Sequence, residues 1–290
     1  MIKRRDFLIN SGLALGALAI APSLAFNAKK KNIGLQLYSL RASFPKDVKG
    51  VLEQVAKAGF TEVETYGYSV KNGFFDTPVK EFKTILSANG LKNPSGHYDL
   101  GSLLKDGNTE VLKNTIEAAN LLGNKYITIP WLDDSIRKSA DDYKKIAENM
   151  NIAAVVCKES GLKLAYHNHA FEFTTFGQTN GYEILLNETD KKLVDFELDL
   201  YWVERSGNNP LHLFKEHPGR FSMWHVKDMD KNNQDWNTEI GKGAIDFKAI
   251  FAEAKLSGMK HFFVEQETNY IPNPIESVKT SCTYINKNLV

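Results

Sequence analysis

The 290-residue sequence predicts a single (β/α)8 TIM barrel, and three observations predict it. From residue 32 onward, short apolar runs rich in β-branched and aromatic residues alternate with longer amphipathic runs, at the spacing of roughly thirty residues that βα units require. Five of the amphipathic runs stop at a glycine, with an apolar run beginning one or two residues later, as αβ loops do. No linker, low-complexity segment or composition break divides the chain. Gly34-Leu35-Gln36-Leu37 is not the glycine-rich phosphate loop that an open doubly wound sheet usually carries after an early strand.

The elements follow in order. Ile33–Tyr38 is the first expected strand, and the helix from Asp47-Val48 to Ala58 stops at Gly59. Thr61–Tyr66 is the second, with its helix from Pro78 to Ala88 closed by Gly90. Leu91–His97 precedes a helix from Thr109 to Leu122 that ends at Gly123, and Tyr126–Pro130 precedes one from Asp141 to Ser160 that ends at Gly161. Leu162–His167 and Leu193–Asp199 are the fifth and sixth strands. Phe221–Val226 leads to a helix from Phe247 to Ser257, closed by Gly258, and His261–Glu265 is the eighth strand. Cys157 and Cys282 then fall on the fourth and eighth helices, on opposite sides of the ring. A disulfide needs Cα atoms within about 7 Å, so two free, buried thiols are expected.

Residues 1–25 precede this pattern. Lys3-Arg4-Arg5 leads into a largely apolar stretch from Phe7 to Ala25 that ends in the small residues Ser23-Leu24-Ala25. A charged segment, an apolar segment and a cleavage site in this order read as an export signal. The paired arginines before Phe-Leu resemble the twin-arginine type, so residues 1–25 are expected to be a signal peptide, residues 26–290 the barrel domain, and the location periplasmic. Asn10, Ser11, Gly12 and Pro22 interrupt the apolar run, and no stable membrane anchor is expected after cleavage. Lys plus Arg (36) and Asp plus Glu (35) give +1, which becomes −1 without residues 1–25. No field is available to hold a polyanion, so no nucleic-acid partner is expected. A homo-oligomer is compatible with the sequence.

In this fold, functional side chains sit where strands end and βα loops begin. Those positions carry Glu64, His97, Trp131, His167, His169, Asp199, His225, Lys227 and Glu265. The strand interiors otherwise read as apolar, which places the polar groups at one rim. His167, Asp199, His225 and Glu265 end four consecutive strands, and neighbouring strands lie about 4.8 Å apart. Two imidazoles and two carboxylates suit one divalent Mn, Zn, Co or Fe(II) ion better than Ca or Mg. His169 has the same facing as His167 and stands as ligand or substrate contact, and Glu172 as spare ligand, supporting partner or surface charge. Glu64 and His97 suit substrate hydroxyls or proton transfer, or a structural ion pair. Trp131, Tyr201 and Trp202 suit stacking on a sugar ring, or packing. Lys227 suits a developing oxyanion, or neutralises Asp228.

These residues resemble the strand-end motifs of the xylose isomerase-like barrels, a superfamily of sugar epimerases, hydroxypyruvate isomerase, inosose dehydratase and endonuclease IV. The likeness rests on Ile33-Gly-Leu-Gln-Leu-Tyr38, Gly59-Phe60 to Val63-Glu64, the Asp199 motif Phe-Glu-Leu-Asp-Leu-Tyr-Trp, His225-Val-Lys-Asp228, Gly241-Lys-Gly243-Ala-Ile-Asp246-Phe and Phe263-Val-Glu265. It covers residues 32–288. It implies a divalent metal held by Glu, Asp, His and Glu, of which Asp199, His225 and Glu265 match. The first Glu falls on His167. In the family's epimerases the two glutamates also move protons on opposite faces of the sugar carbon. Here the resemblance implies Glu265 as proton shuttle and His167 or His169 as its counterpart, while Tyr166-His-Asn-His169 is similar to the His-rich strand of inosose dehydratase. The neutral charge and export signal set the chain apart from endonuclease IV.

The leading expectation is a metal-dependent sugar, keto-sugar or polyol isomerase or epimerase working through an enolate. A lyase that expels a β-hydroxyl from a keto-sugar or keto-inositol is the alternative, since it shares the first step. A non-catalytic sugar-binding barrel is the reading of a different class.

Overall fold

A computed structural model of the protein describes residues 32–290. The proposed signal peptide lies outside the described residues. Eight parallel strands close into a barrel in chain order: β1 Gly34–Gln36, β2 Glu62–Thr65, β3 Lys92–His97, β4 Tyr126–Ile129, β5 Lys163–His167, β6 Val194–Asp199, β7 Met223–Val226 and β8 His261–Val264. Each lies within the run expected for it. The larger helices on the outside are α1 Val48–Lys57, α2 Val79–Ala88, α3 Glu110–Leu122, α4 Ala140–Glu159, α5 Gly181–Glu188, α6 Pro210–Glu216, α7 Phe247–Ala252 and α8 Pro274–Asn288. The Phe247–Ser257 helix is broken at Glu253, and Ala254–Ser257 forms a separate turn. At α3, Gly123 closes the helix with φ 83°, a conformation that disfavours side chains with a Cβ.

The strands are amphipathic in a sense that the sequence reading missed. Leu35, Val63, Ile127, Leu164, Phe196, Trp224 and Phe262 belong to the large apolar core shared with helix residues such as Leu52, Phe82, Leu112 and Met150. The alternate positions meet one another across the barrel and are largely polar: Gln36, Glu62, Glu64, Ser95, Thr128, Lys163, Asp195 and Glu197. Strand interiors are therefore not otherwise apolar, and a polar column runs down the barrel below its rim. The reason is the two-residue period of a strand, which gives helices and lumen different faces of the same run. A small apolar plug of Tyr126, Ala165, Met223 and Phe263 interrupts the column. Gly34 belongs to this packing, because a Cβ there would meet Phe263 Cδ1 at 2.4 Å.

Three two-stranded hairpins absent from the sequence reading extend the loops after β2, β5 and β7: Tyr68–Ser69 with Gly73–Phe74, Thr175–Phe176 with Thr179–Asn180, and Asp228–Met229 with Asn237–Thr238. Asp228 holds the last of these loops, accepting hydrogen bonds from the backbone of Gly241, Gly243 and Ile245. Cys157 and Cys282 are buried and form no disulfide, as expected, and burial pushes the Cys157 thiol up to about 12. Among the described residues no helix is long and apolar enough to cross a membrane.

Candidate metal centre and active-site cavity

The carboxyl ends of β5 to β8 bring His167, Asp199, His225 and Glu265 together, with one donor atom of each within 4.8 Å of the others. All four are buried. Local structure fixes which atom each presents. Asp199 uses Oδ1 to accept from Trp202 N at 2.9 Å, capping the turn of helix at Leu200–Arg205, and leaves Oδ2 free. Asn168 holds the strand end from the other side, its Oδ1 accepting from Asp199 N at 3.0 Å. His167 Nδ1 lies 3.3 Å from the Pro130 carbonyl, so that nitrogen carries the proton and Nε2 offers a lone pair. Nε2 faces Asp199 Oδ2 at 3.4 Å. Glu265 Oε2 lies 3.2 Å from His225 Nδ1 and 3.2 Å from Lys227 Nζ.

These donors fit a metal ion. His167 Nε2 and Asp199 Oδ2 are buried without any hydrogen-bond partner, a costly arrangement that a shared cation would remove. Ligands about 2.0–2.2 Å from a tetrahedral ion stand about 3.3–3.6 Å apart. Three of the six edges are 3.2, 3.4 and 3.9 Å, the last between His225 Nδ1 and Asp199 Oδ2, and all donor atoms lie within 4.8 Å of one another. Burial and the neighbouring His225 charge push His167 down to about 4, which leaves its Nε2 lone pair free. Against burial, the carboxylates around His225 raise it, so His225 would release a proton on becoming a ligand. Burial opposes the charge on Glu265, but Lys227 and His225 outweigh it and hold that carboxyl well below the usual range.

A second polar cluster lies on the other side of the His225 ring. His225 Nε2 is 2.7 Å from Glu64 Oε2 and 3.3 Å from Glu197 Oε2, and His97 Nε2 is 2.8 Å from Glu197 and 3.2 Å from Glu64. Glu64 also accepts from Gln36 Nε2 at 2.8 Å and Ser95 Oγ at 2.5 Å. Its carboxylate is therefore saturated with donors. Burial works against its ionisation, but His97 and His225 prevail and hold it well below the usual range. Glu197 has fewer partners, with Oε1 buried and unpaired, and burial beside Glu64 pushes it up to about 7. Burial opposes charge on His97, yet the two carboxylates raise it to about 9.

Above the first cluster is a cavity of about 490 Å³. His97, Trp131, His167, His169, Trp202 and Glu265 line it, with Tyr38, Tyr66, Tyr68, Asp99 and Glu267. Six of the expected site residues thus meet in one space. Glu64 does not reach it; it is fully buried and turned toward His225. Lys227 is not a free cavity cation and does not pair with Asp228. It is buried between Glu265 and Glu267, 2.9 Å from the latter, and lies over the Tyr201 and Trp202 rings. Tyr201 is turned away, its hydroxyl donating to Gln234 O. Glu172 is neither surface charge nor part of the donor group: it accepts from Tyr166 Oη at 2.6 Å and from His169 N at 2.9 Å, fixing the loop that carries His169. Glu197 and Glu267 were missed. Period-two alternation could have found Glu197, because Asp199 pointing inward forces the residue two before it inward as well.

Known proteins resemble this chain throughout the barrel. It is 28% identical over 174 residues to the inosose dehydratase of Clostridium perfringens, a match that covers 54% of this chain and 58% of that protein. The matched part thus spans little more than half of that relative's length. A sugar phosphate isomerase/epimerase from Parabacteroides distasonis superposes with TM-score 0.81 at 27% identity, covering 92% of this chain and 98% of that one. The IolI protein with a bound zinc atom superposes with TM-score 0.67 at 17% identity over 88% of this chain and 97% of that one, which shows the shared fold. The family model of the xylose isomerase-like TIM barrel matches residues 52–288, and with the barrel and its strand-end residues this makes the chain a member of that family.

Proposed function

We propose that this chain is a metal-dependent enzyme that removes a proton beside the carbonyl of a sugar-derived or cyclitol-derived substrate and then expels water from the adjacent carbon. The observation that carries this reading is the state of the two strand-five histidines. His167 has Nδ1 committed to Pro130 and Nε2 turned to the donor group, so it holds rather than moves a proton. His169 lines the cavity, and its Nδ1 is buried without a partner. Burial and the cations around it hold His169 below the usual imidazole range, so it is neutral with a free lone pair, and it is the unpaired Nδ1 in the cavity rather than high basicity that makes it the candidate acceptor. Glu265 is tied to Lys227 and His225 and is a poor base. One mobile base suits an elimination: the C–H bond breaks to His169, the C–O bond breaks, and the same imidazole returns the proton to the departing hydroxyl as water. Epimerisation needs bases on both faces of the carbon.

The ion would be held by His167, Asp199, His225 and Glu265, and when bound it polarises the substrate carbonyl and acidifies the neighbouring C–H. The zinc of the IolI relative and the activity named for the Clostridium relative support this reading. The Parabacteroides relative favours a second reading, epimerisation with His169 and Glu265 as the pair. Incubation with ketosugars and inososes in deuterated water tests both. Loss of water is expected; deuterium incorporated without loss of water would establish epimerisation instead. No turnover of any keto substrate would favour a sugar-binding barrel. His169→Ala should slow turnover by about 10²–10⁴. Export by a twin-arginine signal is part of the proposal, and Arg4→Lys with Arg5→Lys should leave the protein in the cytoplasm; normal periplasmic recovery of that variant would contradict it.

A further inference from the structure

Away from the barrel mouth, the described residues hold a further group of donor atoms close enough to share an ion. It lies on the helical shell, where Glu183, Glu216 and His217 bring one donor atom each within 4.8 Å of the others. Glu183 stands in the first turn of α5, which Asn180 fixes by accepting from Glu183 N at 2.9 Å. Glu216 ends α6, in the connection between β6 and β7, and His217 leaves that helix with φ −126° and ψ 61°. Adjacent residues within a helix do not face each other. The break at His217 lets both side chains reach Glu183.

The distances separate contacts made by protons from contacts spaced for an ion. His217 Nε2 and Glu183 Oε2 are 3.5 Å apart, beyond the usual N–H···O range of about 2.7–3.2 Å and within the edge of about 3.3–3.6 Å expected around tetrahedral zinc. His212 Nε2 lies 2.8 Å from Glu216 Oε1, one turn away on the same helix face. That is hydrogen-bond spacing, and ligating carboxylates are commonly held by such an outer partner. The His217 and Glu183 side chains are 10% and 31% exposed, whereas Glu216 is 47% and His212 69% exposed. An inner pair is thus held against the shell, and an outer arm closes on it from solvent. A divalent ion on two carboxylates and a neutral imidazole leaves no net charge, and this mixed oxygen and nitrogen set suits Zn, Co or Ni.

We propose that Glu183, Glu216 and His217 form a second divalent-metal site on the outer face of the barrel, with His212 steadying Glu216 and water completing the coordination. None of these residues lines the cavity. The ion ties α5 to α6, which lie in the connections that follow the strands supplying His167 and Asp199. Its half-exposed ligand makes the site exchangeable: it fills in free ion and empties on dialysis, unlike a centre whose four donors are all buried. Calorimetric titration of zinc-loaded, dialysed protein with zinc chloride tests this. The protein should take up about one further ion per chain with Kd below about 0.1 mM. His217→Gln and Glu216→Gln should each weaken that uptake by at least about tenfold, and His212→Ala by up to about tenfold. Asp199→Ala, which removes a donor from the barrel centre, should leave it unchanged. Uptake weaker than about 0.1 mM, uptake that survives both His217→Gln and Glu216→Gln, or uptake lost in Asp199→Ala would overturn the proposal.

Discussion

On one side of the His225 ring, Nδ1 faces His167, Asp199 and Glu265; on the other, Nε2 faces Glu64, His97 and Glu197. Each group is two imidazoles and two carboxylates, and His225 is common to both. Their geometries differ. The upper group has three separations of 3.2, 3.4 and 3.9 Å within an overall span of 4.8 Å, and two buried atoms without partners against one, Glu197 Oε1, in the lower. The lower group closes to 2.7 and 2.8 Å, distances of hydrogen bonds, and Gln36 and Ser95 complete the Glu64 carboxylate. Identical donor chemistry can therefore serve two ends: the upper group is spaced for a cation, and the lower group for shared protons. With an ion at Nδ1, the lower group becomes the carboxylate that orients a ligand histidine, Glu64 accepting from Nε2–H.

The largest expected effect comes from the upper group. Asp199→Ala and His225→Ala should each abolish retention of a divalent ion through dialysis, while circular dichroism shows the barrel folded. Full occupancy in both variants would place the ion elsewhere. Glu64→Gln should come next, lowering metal affinity by about 10- to 100-fold although Glu64 never touches the ion, because it frees the His225 ring. Glu197→Gln should cost clearly less, since Glu197 stands 3.3 Å from His225 against 2.7 Å for Glu64. Equal losses from the two would show that charge, not orientation, links the groups.

Glu172 provides a buried carboxylate outside both groups. Burial raises it to about 7, only partly opposed by Tyr166 Oη and the His169 N–H. A folded value above the unfolded one means that the protonated form is favoured in the native state. Its stabilising contribution is complete below about pH 4.5 and is lost as pH rises through about 7. Glu172→Gln, whose amide oxygen can accept from His169 N while its NH2 donates to Tyr166 Oη as a protonated carboxyl would, should raise Tm by several degrees at pH 8 and leave it nearly unchanged at pH 4.5. An equal shift at both pH values would contradict this.

The difference between the two groups also marks where the sequence stopped being informative. The upper group was legible because strand ends are readable from apolar runs, and four adjacent ends carried metal-binding residue types. The lower group was not, because Glu197 and Ser95 lie inside runs scored as apolar, and the polar column becomes visible only when alternate residues are assigned to lumen and helices. Glu64 was recognised as polar at a strand end, yet its direction depends on Gln36, Ser95 and His225, which are 28 to 161 residues away. Lys227 similarly read as a cation for a developing oxyanion or as the partner of Asp228. Its partners Glu265 and Glu267 come from the neighbouring strand and the loop that follows it, whereas Asp228 is occupied by backbone N–H groups of its own loop.

The most direct test of the division is to count and locate the ion. Protein reconstituted with Zn or Mn and dialysed should carry about one ion per chain, and anomalous diffraction should place it among His167, Asp199, His225 and Glu265. Two ions per chain, or a single ion between Glu64, His97 and Glu197, would contradict the assignment of one group to a cation and the other to protons.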